Sequence, residues 1–561
     1  MTNHEISQHF SLLAKLTEIH GGNPFKAKSY ANTAFAVDKL QAEISQLPEE
    51  VLYKTPGIGQ SAAEKIKELQ ETGQMEALTE LLAATPAGIQ EMMRIKGLGP
   101  KKIAVIWKEL GVETIGELEY ACSENRLAAL KGFGPKTQET LCGQIAFYRQ
   151  NEGLHLWAGI EPLAQTLLAQ LKKAFPHNQF ALTGDLRRQL EIVGFIEILC
   201  DLEQDDLLRG YENLEGVGFE TIPASQLTVR IPNQPALRFY FSTAKDFQRR
   251  LFLTTGSETF IAAFLEKYIL AEEPESEQQL FRENGLDYIP PALRETAGIL
   301  QKAASKQLPL LIQQKDIRGI IHSHSTWSDG ANTLSEMARG ARDQGFEYLV
   351  ISDHSQAAQY AGGLRPEQIV AQHAEIEALN EQLAPFKIFK SIEADILGDG
   401  SLDYDAKVLS SMDLVIASVH SNLKMNLEKA MDRVLAAVRN PFTTILGHMT
   451  GRLLLSREGY PLDHKKVIDA CAAYDVAIEI NAHPRRLDID WRWIEYALEK
   501  GVLLSIDPDA HSVAGFADTY YGVMIGQKGG LTARQNLSSF SLQDFESFLQ
   551  RYRAKVNNLN S

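Results

Sequence analysis

RGIIHSH (318–324), YLVISDH (348–354), KIFKSIEAD (387–395), LVIASVH (414–420), TTILGH (443–448), VAIEINAH (476–483) and VLLSIDPDAH (502–511) each carry a short apolar run into a histidine, a carboxylate or both. Apolar runs that alternate with helical pattern over residues 318–561 read as the strands of a βα barrel or a doubly wound sheet. Side chains alternate along an extended strand. His322 and His324 are therefore expected to project the same way, as are Asp509 and His511 if the extension persists. A barrel of parallel strands would gather such residues at one end, because its functional groups sit at the carboxyl ends of the strands.

A donor set mixing imidazole and carboxylate suits manganese, iron or zinc better than magnesium alone. The candidate ligands are His322, His324, Asp329, His354, Glu393, His420, His448, Asp509 and His511. They exceed what one ion needs and imply two or three divalent ions sharing bridging groups, with Glu393 as the expected bridge because a carboxylate binds through both oxygens. Such ions lower the pKa of bound water and clamp the oxygens of a phosphate displacement, so the reaction class indicated is phosphoester hydrolysis. Arg452, four residues past His448, is expected to grip a phosphate oxygen in the forked geometry that arginine favours. Asp353 points away from His354 on a strand and is expected to support the ligands from behind. His483 also ends a strand but is placed outside the ligand set.

A chain of 561 residues exceeds one hydrophobic core, so several domains are expected. The formal charge of -16 argues against a surface that grips nucleic acid by charge alone, though not against local grips. The opening MTNHEISQHF lacks a basic stretch followed by an apolar core, and no window nears about 18 continuous apolar residues, which points to a cytoplasmic protein without a membrane partner. Cys122, Cys142, Cys200 and Cys471 form no Cys-x-x-Cys pair and read as reduced thiols.

Residues 1–150 read as short amphipathic helices, and residues 155–243 as mixed helix and strand. The acidic, proline-bearing stretch AEEPESEQQLFRENGLDYIPPALRE (271–295) reads as a domain edge draped on a surface. Within the helical region one motif recurs: TPGIGQSAAEKI (55–66), IKGLGPKKIAVI (95–106) and LKGFGPKTQETL (130–141). Each places Gly-apolar-Gly before a helix, centred on Gly57 and Gly59, Gly97 and Gly99, and Gly132 and Gly134. Glycine permits a positive φ and a close backbone approach, and the free amides of the next helix then face an anion. With Lys101, Lys102 and Lys136 beside them, these turns would hold DNA phosphates without a basic surface. They resemble helix-hairpin-helix DNA-binding modules.

HSHSTWSDG, SDHS, the Glu393 strand, SVHS, GHMTGR and DPDAHS resemble the PHP (polymerase and histidinol phosphatase) domain. That resemblance implies a distorted barrel of seven βα units with a trinuclear metal centre built from the nine candidate ligands. The preceding part is similar to bacterial family X DNA polymerases, relatives of polymerase beta that end in a PHP domain. LTGDLRRQLEIVGFIEIL (182–199) looks like the palm motif and LTTGSETF (253–260) like the downstream TGS motif. The implied order is a helical lyase-like domain (1–80), helix-hairpin-helix fingers (81–150), a nucleotidyltransferase-like α+β palm (151–243), a thumb and connector (244–317) and the PHP domain (318–561).

The palm departs from its family. The family motif reads Gly-Ser-x-Arg-Arg-Gly-x-Glu-x-x-Gly-Asp-x-Asp, and here Gly184, Arg187, Arg188, Glu191 and Gly194 match while the serine is Asp185 and the second glycine Gln189. The first metal aspartate is Phe195, the second Glu197, and the third position falls on Arg238. Phosphoryl transfer of this type depends on those carboxylates, so magnesium binding at the palm and nucleotide polymerisation are expected to be lost or weak. Lys65 occupies the position of the family's Schiff-base lysine, which would serve a sugar-phosphate lyase if its amine were partly neutral. The resemblance implies a manganese-dependent 3′ to 5′ exonuclease on gapped, nicked or free 3′ DNA ends, acting as a monomer in repair. The alternatives are a still-active gap-filling polymerase, a non-catalytic DNA-end scaffold, and a small-molecule phosphatase, which would leave the three glycine motifs unexplained.

Overall fold

The computed structural model describes residues 1–40, 42–44, 47, 49–123, 126–130, 132–210, 217–222, 225–231 and 234–559, and these form two compact units, Met1–Glu152 and Gly153–Ser561. In the first unit the three glycine motifs enter helices α1 (Gln60–Thr72), α2 (Pro100–Leu110) and α3 (Pro135–Gln150). Gly57, Gly97 and Gly132 have φ of 88°, 82° and 88°, a conformation that disfavours side chains. The apolar middle residues Ile58, Leu98 and Phe133 sink into the core. Gly59, Gly99 and Gly134 then occupy the N-caps, where no side chain caps the helix. The first amides of each helix are therefore left without a capping side chain, in the arrangement that suits an anion. Lys101 and Lys136 are exposed beside them, while Lys102 donates to the Gly97 carbonyl at 3.1 Å.

After a helix over Trp157–Ala174, the second unit forms a sheet of β1 (Phe180–Leu182), β2 (Ile196–Cys200), β3 (Gly218–Ile222), β4 (Gln226–Arg230) and β5 (Leu237–Phe241). The spatial order is β1-β2-β5-β4-β3, and only β2 and β5 run parallel. Their register sets Glu197 opposite Arg238.

The acidic stretch that follows lies along the surface through Glu272, Glu273, Glu275, Gln278, Arg282 and Glu283, and the correction to the sequence reading is that its other face enters the core. Glu277, Leu280, Phe281, Ile289, Leu293 and Arg294 are buried. Phe252, Phe260, Phe264 and Phe281 supply the apolar filling. Arg294 is fully buried. It donates to Glu277 at 2.5 Å and to the Ile289 carbonyl at 2.9 Å, with the rings of Phe252, Phe281 and Tyr288 around its guanidinium. A charge is tolerated at that depth only when paired and hydrogen-bonded.

Seven parallel strands make the last part: β6 (Gly319–Ser323), β7 (Tyr348–Ile351), β8 (Lys387–Asp395), β9 (Leu414–Ser418), β10 (Ile445–Leu446), β11 (Ala477–Asn481) and β12 (Leu504–Asp507). They lie side by side in chain order, without the switch of order that defines a doubly wound sheet. The two edges meet where the His324 amide donates to the Ala510 carbonyl at 2.8 Å and the Ala510 amide to the His322 carbonyl at 3.2 Å. The sheet is thus a nearly closed barrel. Lys528 ties it to the earlier elements, donating to Glu295 at 2.5 Å and to the Arg188 carbonyl at 2.9 Å over the Trp491 ring. Among the described residues no helix is long and apolar enough to cross a membrane.

Glu277→Leu removes the carboxylate that faces the fully buried Arg294 guanidinium. It is expected to destabilise the second unit by about 3–5 kcal/mol, read as a lowered urea midpoint against a conservative surface variant. An unchanged midpoint would mean that this pair does not hold the segment.

Candidate metal centre

The Glu393 carboxylate on β8 lies at the middle of the barrel's carboxyl end and is almost wholly buried. Its Oε1 is 3.0 Å from His448 Nε2, 3.1 Å from His420 Nε2 and 3.3 Å from His322 Nε2. Its Oε2 is 2.9 Å from His354 Nδ1 and 3.8 Å from His324 Nε2. Three groups have donor atoms mutually close enough for an ion: His322, His324 and Asp509; His324, Asp329, His354 and His511; and His354, Glu393 and His420. All nine candidate ligands stand in this one cluster, His448 through its contact with Glu393. Asp329 and His511 form its open side, with side chains 34% and 43% exposed.

The route by which two of these ligands arrive differs from simple strand alternation. His322 has φ of 61° and the β6–β7 register shifts between Ile320 and Ser323, so β6 bulges where extension was expected. Asp509, two residues past β12, has φ of 52°. Both left-handed residues are aimed into the cluster by local distortion.

The residues fit a cation. His322 Nε2, His354 Nδ1 and Glu393 Oε2 are buried and, although His322 and His354 lie close to Glu393, make no well-directed hydrogen bond among the described residues. Orphaned polar atoms at such depth are costly, and a divalent ion would satisfy them. Burial first, then the neighbouring His354, pushes the His324 imidazole down to about 3, which keeps it in the neutral form that ligates. Burial pushes Glu393 up, but His420, His322 and His354 together hold it well below the usual carboxylate range.

Two buried carboxylates that the sequence reading missed hold the ligands in place. Glu479 sits 2.5 Å from His322 Nδ1 and accepts the His448 amide at 2.5 Å. Asp395 sits 2.8 Å from His420 Nδ1. The signal was present in period two: Asp395 follows Glu393 by two residues on β8, and Glu479 precedes Asn481 by two on β11, where Asn481 donates to Asp509 at 3.2 Å. Asp353 pins the loop after β6, accepting from Ser325, Ser328 and Gln372.

Arg452 corrects the sequence reading. Its guanidinium donates to Asp490 at 2.6 Å, to the Arg486 carbonyl at 3.0 Å and to the Leu487 carbonyl, so it braces a loop and is not free for phosphate. Arg486 takes the nearer position, with Nε 3.6 Å from Asp509 Oδ2. His483 is half-buried, and its Nδ1 accepts the Arg485 amide at 3.2 Å.

The palm positions also come together, in a different manner. The Arg238 guanidinium stacks 3.5 Å from the Phe195 ring centroid, and its Nη1 is 3.7 Å from Glu197. Glu197 accepts from the Asp185 amide and from the Tyr240 hydroxyl, both at 2.9 Å. A Cβ on Gly184, where φ is 61°, would stand 1.8 Å from that carboxylate. Burial pushes the Glu197 carboxyl upward. Arg187 is engaged by Glu277 and Thr255, and Arg188 by Glu295, the Thr255 carbonyl and Asp185. Gln189 has φ of 62°, the conformation a glycine would favour there. Lys65 is half-buried within α1 of the first unit.

Residues 1–75 match a helix-hairpin-helix domain and residues 89–145 a SAM-like helix-hairpin-helix tandem. The chain is 32% identical to the DNA polymerase/3′-5′ exonuclease PolX of Bacillus subtilis, over 98% of this chain and 100% of that one. It is 28% identical to a probable phosphatase of Thermoanaerobacter sp., over 34% of this chain and 77% of the relative. A probable phosphatase of Caldanaerobacter subterraneus is likewise 28% identical, over 28% of this chain and 60% of the relative.

Groups that orient metal-binding histidines typically set affinity by roughly 10–100-fold. Glu479→Gln removes the charge behind His322 and is expected to weaken metal retention by that factor, measured by chelator competition. Retention equal to the unaltered chain would contradict the assigned role.

Proposed function

We propose, on the premise that the chain belongs to the bacterial family X DNA polymerases that end in a PHP domain, that it trims DNA 3′ ends by phosphodiester hydrolysis in the barrel. It is a metal-dependent phosphoesterase of DNA repair type, with helix-hairpin-helix motifs that fit DNA binding. The finer reading is a manganese-dependent 3′ to 5′ exonuclease with little or no nucleotide polymerisation. One contrast carries it: the barrel gathers eight further candidate ligands around Glu393, whereas the palm sets Phe195, Glu197 and Arg238 where the family carries aspartates.

His322, His324 and Asp509 would hold one ion, His324, Asp329, His354 and His511 a second, and His354, Glu393 and His420 a third, with His448 beside Glu393. Ions so bound supply Lewis acidity and water of lowered pKa at neutral pH. The chain's own part is to fix the imidazoles through Glu479 and Asp395, and to leave Asp329 and His511 on the open side where an end can enter. Arg486 is positioned to offset phosphate charge beside Asp509. In the first unit the uncapped amides of α1, α2 and α3, with Lys101, Lys102 and Lys136, hold backbone phosphates.

At the palm, Glu197 is satisfied by Tyr240, the Asp185 amide and Arg238. A carboxylate already neutralised inside the protein offers little to a magnesium ion, and Arg238 repels one. Arg187 and Arg188 are spent on carboxylates of the same unit, which removes them from any triphosphate.

His324→Ala and Asp509→Ala are expected to abolish shortening of a 3′ end while leaving the dissociation constant for DNA unchanged. Cleavage at the unaltered rate in both variants would sink the assignment of the chemistry to the barrel.

A further inference from the structure

Tyr360 is 74% exposed, with its ring centroid 6.2 Å from that of His354 at the edge of the metal cluster. A lone exposed aromatic is ordinary on a protein surface, so exposure by itself means nothing. The loop that presents it is another matter. Ala358 and Ala361 on either side are buried, and the Ala358 amide donates to the Ser355 carbonyl at 3.0 Å. The Leu364 amide donates to the His354 carbonyl at 2.9 Å, and the Ala357 amide to Asp403 at 2.6 Å. The Tyr404 hydroxyl accepts the Gln356 amide at 3.1 Å and donates to the Leu364 carbonyl. A Cβ on Gly363 would lie 1.8 Å from the Ser355 carbonyl oxygen, so the loop closes only with glycine there. The segment is anchored on both sides while its largest side chain is held out of the core.

What surrounds that ring is the entrance to the cluster. Neighbouring groups that shield the hydroxyl, and then the charges of Glu393, Asp395 and Asp329, hold it above the usual tyrosine range, while the charge of Arg486 works in the opposite direction. Among the described residues nothing hydrogen-bonds the hydroxyl. A flat ring held beside ligands for a phosphoester, with an arginine nearby, suits a partner that is flat at one point and anionic at the next. A nucleotide has that form, and a base stacks on an aromatic ring whatever its sequence.

We propose that Tyr360 is a base-stacking residue that receives the terminal base of the strand whose phosphodiester lies over the cluster. This rests on the nuclease reading and adds its substrate class, a nucleic-acid end whose last residue carries a base. Fixing the base in this way orients the terminal nucleotide for cleavage by side chains that do not themselves recognise it.

The test uses the full-length protein with Mn²⁺ and two 5′-labelled oligonucleotides that differ only in the last residue, one with a base and one with a stable base-less sugar. The unaltered chain should show a KM lower by roughly 5- to 100-fold for the base-bearing end, the range that one base–aromatic stack supplies. Tyr360→Phe should keep that preference and Tyr360→Ala should abolish it. A change in folding alone would raise both KM values together and leave the ratio intact. A second readout needs no turnover: 2-aminopurine at the 3′ terminus, titrated with protein in EDTA, should be quenched by the unaltered chain and by Tyr360→Phe but not by Tyr360→Ala. Equal KM values for the two ends in the unaltered chain, or a preference that survives in Tyr360→Ala, would overturn the proposal while leaving the nuclease reading standing. A chain that shortens neither oligonucleotide would overturn both.

Discussion

A carboxylate buried in protein must be neutralised by its surroundings, and Glu393 is the place where that demand organises the barrel. Four imidazoles from four other strand ends, those of His322, His354, His420 and His448, lie within 3.3 Å of its oxygens. They converge because seven strands in chain order curl until β12 meets β6, bringing every carboxyl end to one rim. The buried carboxylates Glu479 and Asp395 then hold the outer nitrogens of the His322 and His420 rings, so that the inner ones face Glu393. Several of the inner atoms still lack well-directed hydrogen bonds, which is the mark of a site completed by a cation.

The palm solves the same electrostatic problem in the opposite way. Glu197 is also buried, yet its counter-charge and hydrogen bonds come from Arg238, Tyr240 and the Asp185 amide. It needs no ion. The neighbouring arginines of the palm motif are likewise committed to Glu277 and Glu295, and through Lys528 and Trp491 that network continues to the barrel. Residues placed where a polymerase would manage a triphosphate thus join the palm to the elements that follow it. Among the described residues, the side-chain groups that could hold a metal ion lie in the barrel.

Much of this was legible in the sequence because it rests on local rules. A glycine forced to positive φ, a buried apolar residue and an uncapped helix start repeat at Gly57, Gly97 and Gly132, and a motif of that kind reads directly. The strand-end ligands were visible because polar groups interrupt apolar runs. Glu479 and Asp395 escaped notice because a carboxylate inside a strand reads as part of its pattern until its partner across the barrel is known. The placement of His322 and Asp509 depends on left-handed backbone at a bulge and past a strand end, which no alternation rule supplies. Arg452 and Arg486 could not be ranked from spacing, since both sit on loops and the choice is made by Asp490 and by the carbonyls of residues 486 and 487. The 271–295 stretch misled through composition: its Glu277 is buried because the buried Arg294 and the half-buried Arg187 both pair with it.

The central claim, that chemistry resides in the barrel and not in the palm, is tested most directly on one labelled gapped duplex incubated with and without the four deoxynucleoside triphosphates, in Mn²⁺ and in Mg²⁺. The account predicts that the labelled strand shortens in Mn²⁺ whether or not the triphosphates are present, and lengthens under none of the four conditions. Templated lengthening of the strand in Mg²⁺ or Mn²⁺ would contradict it.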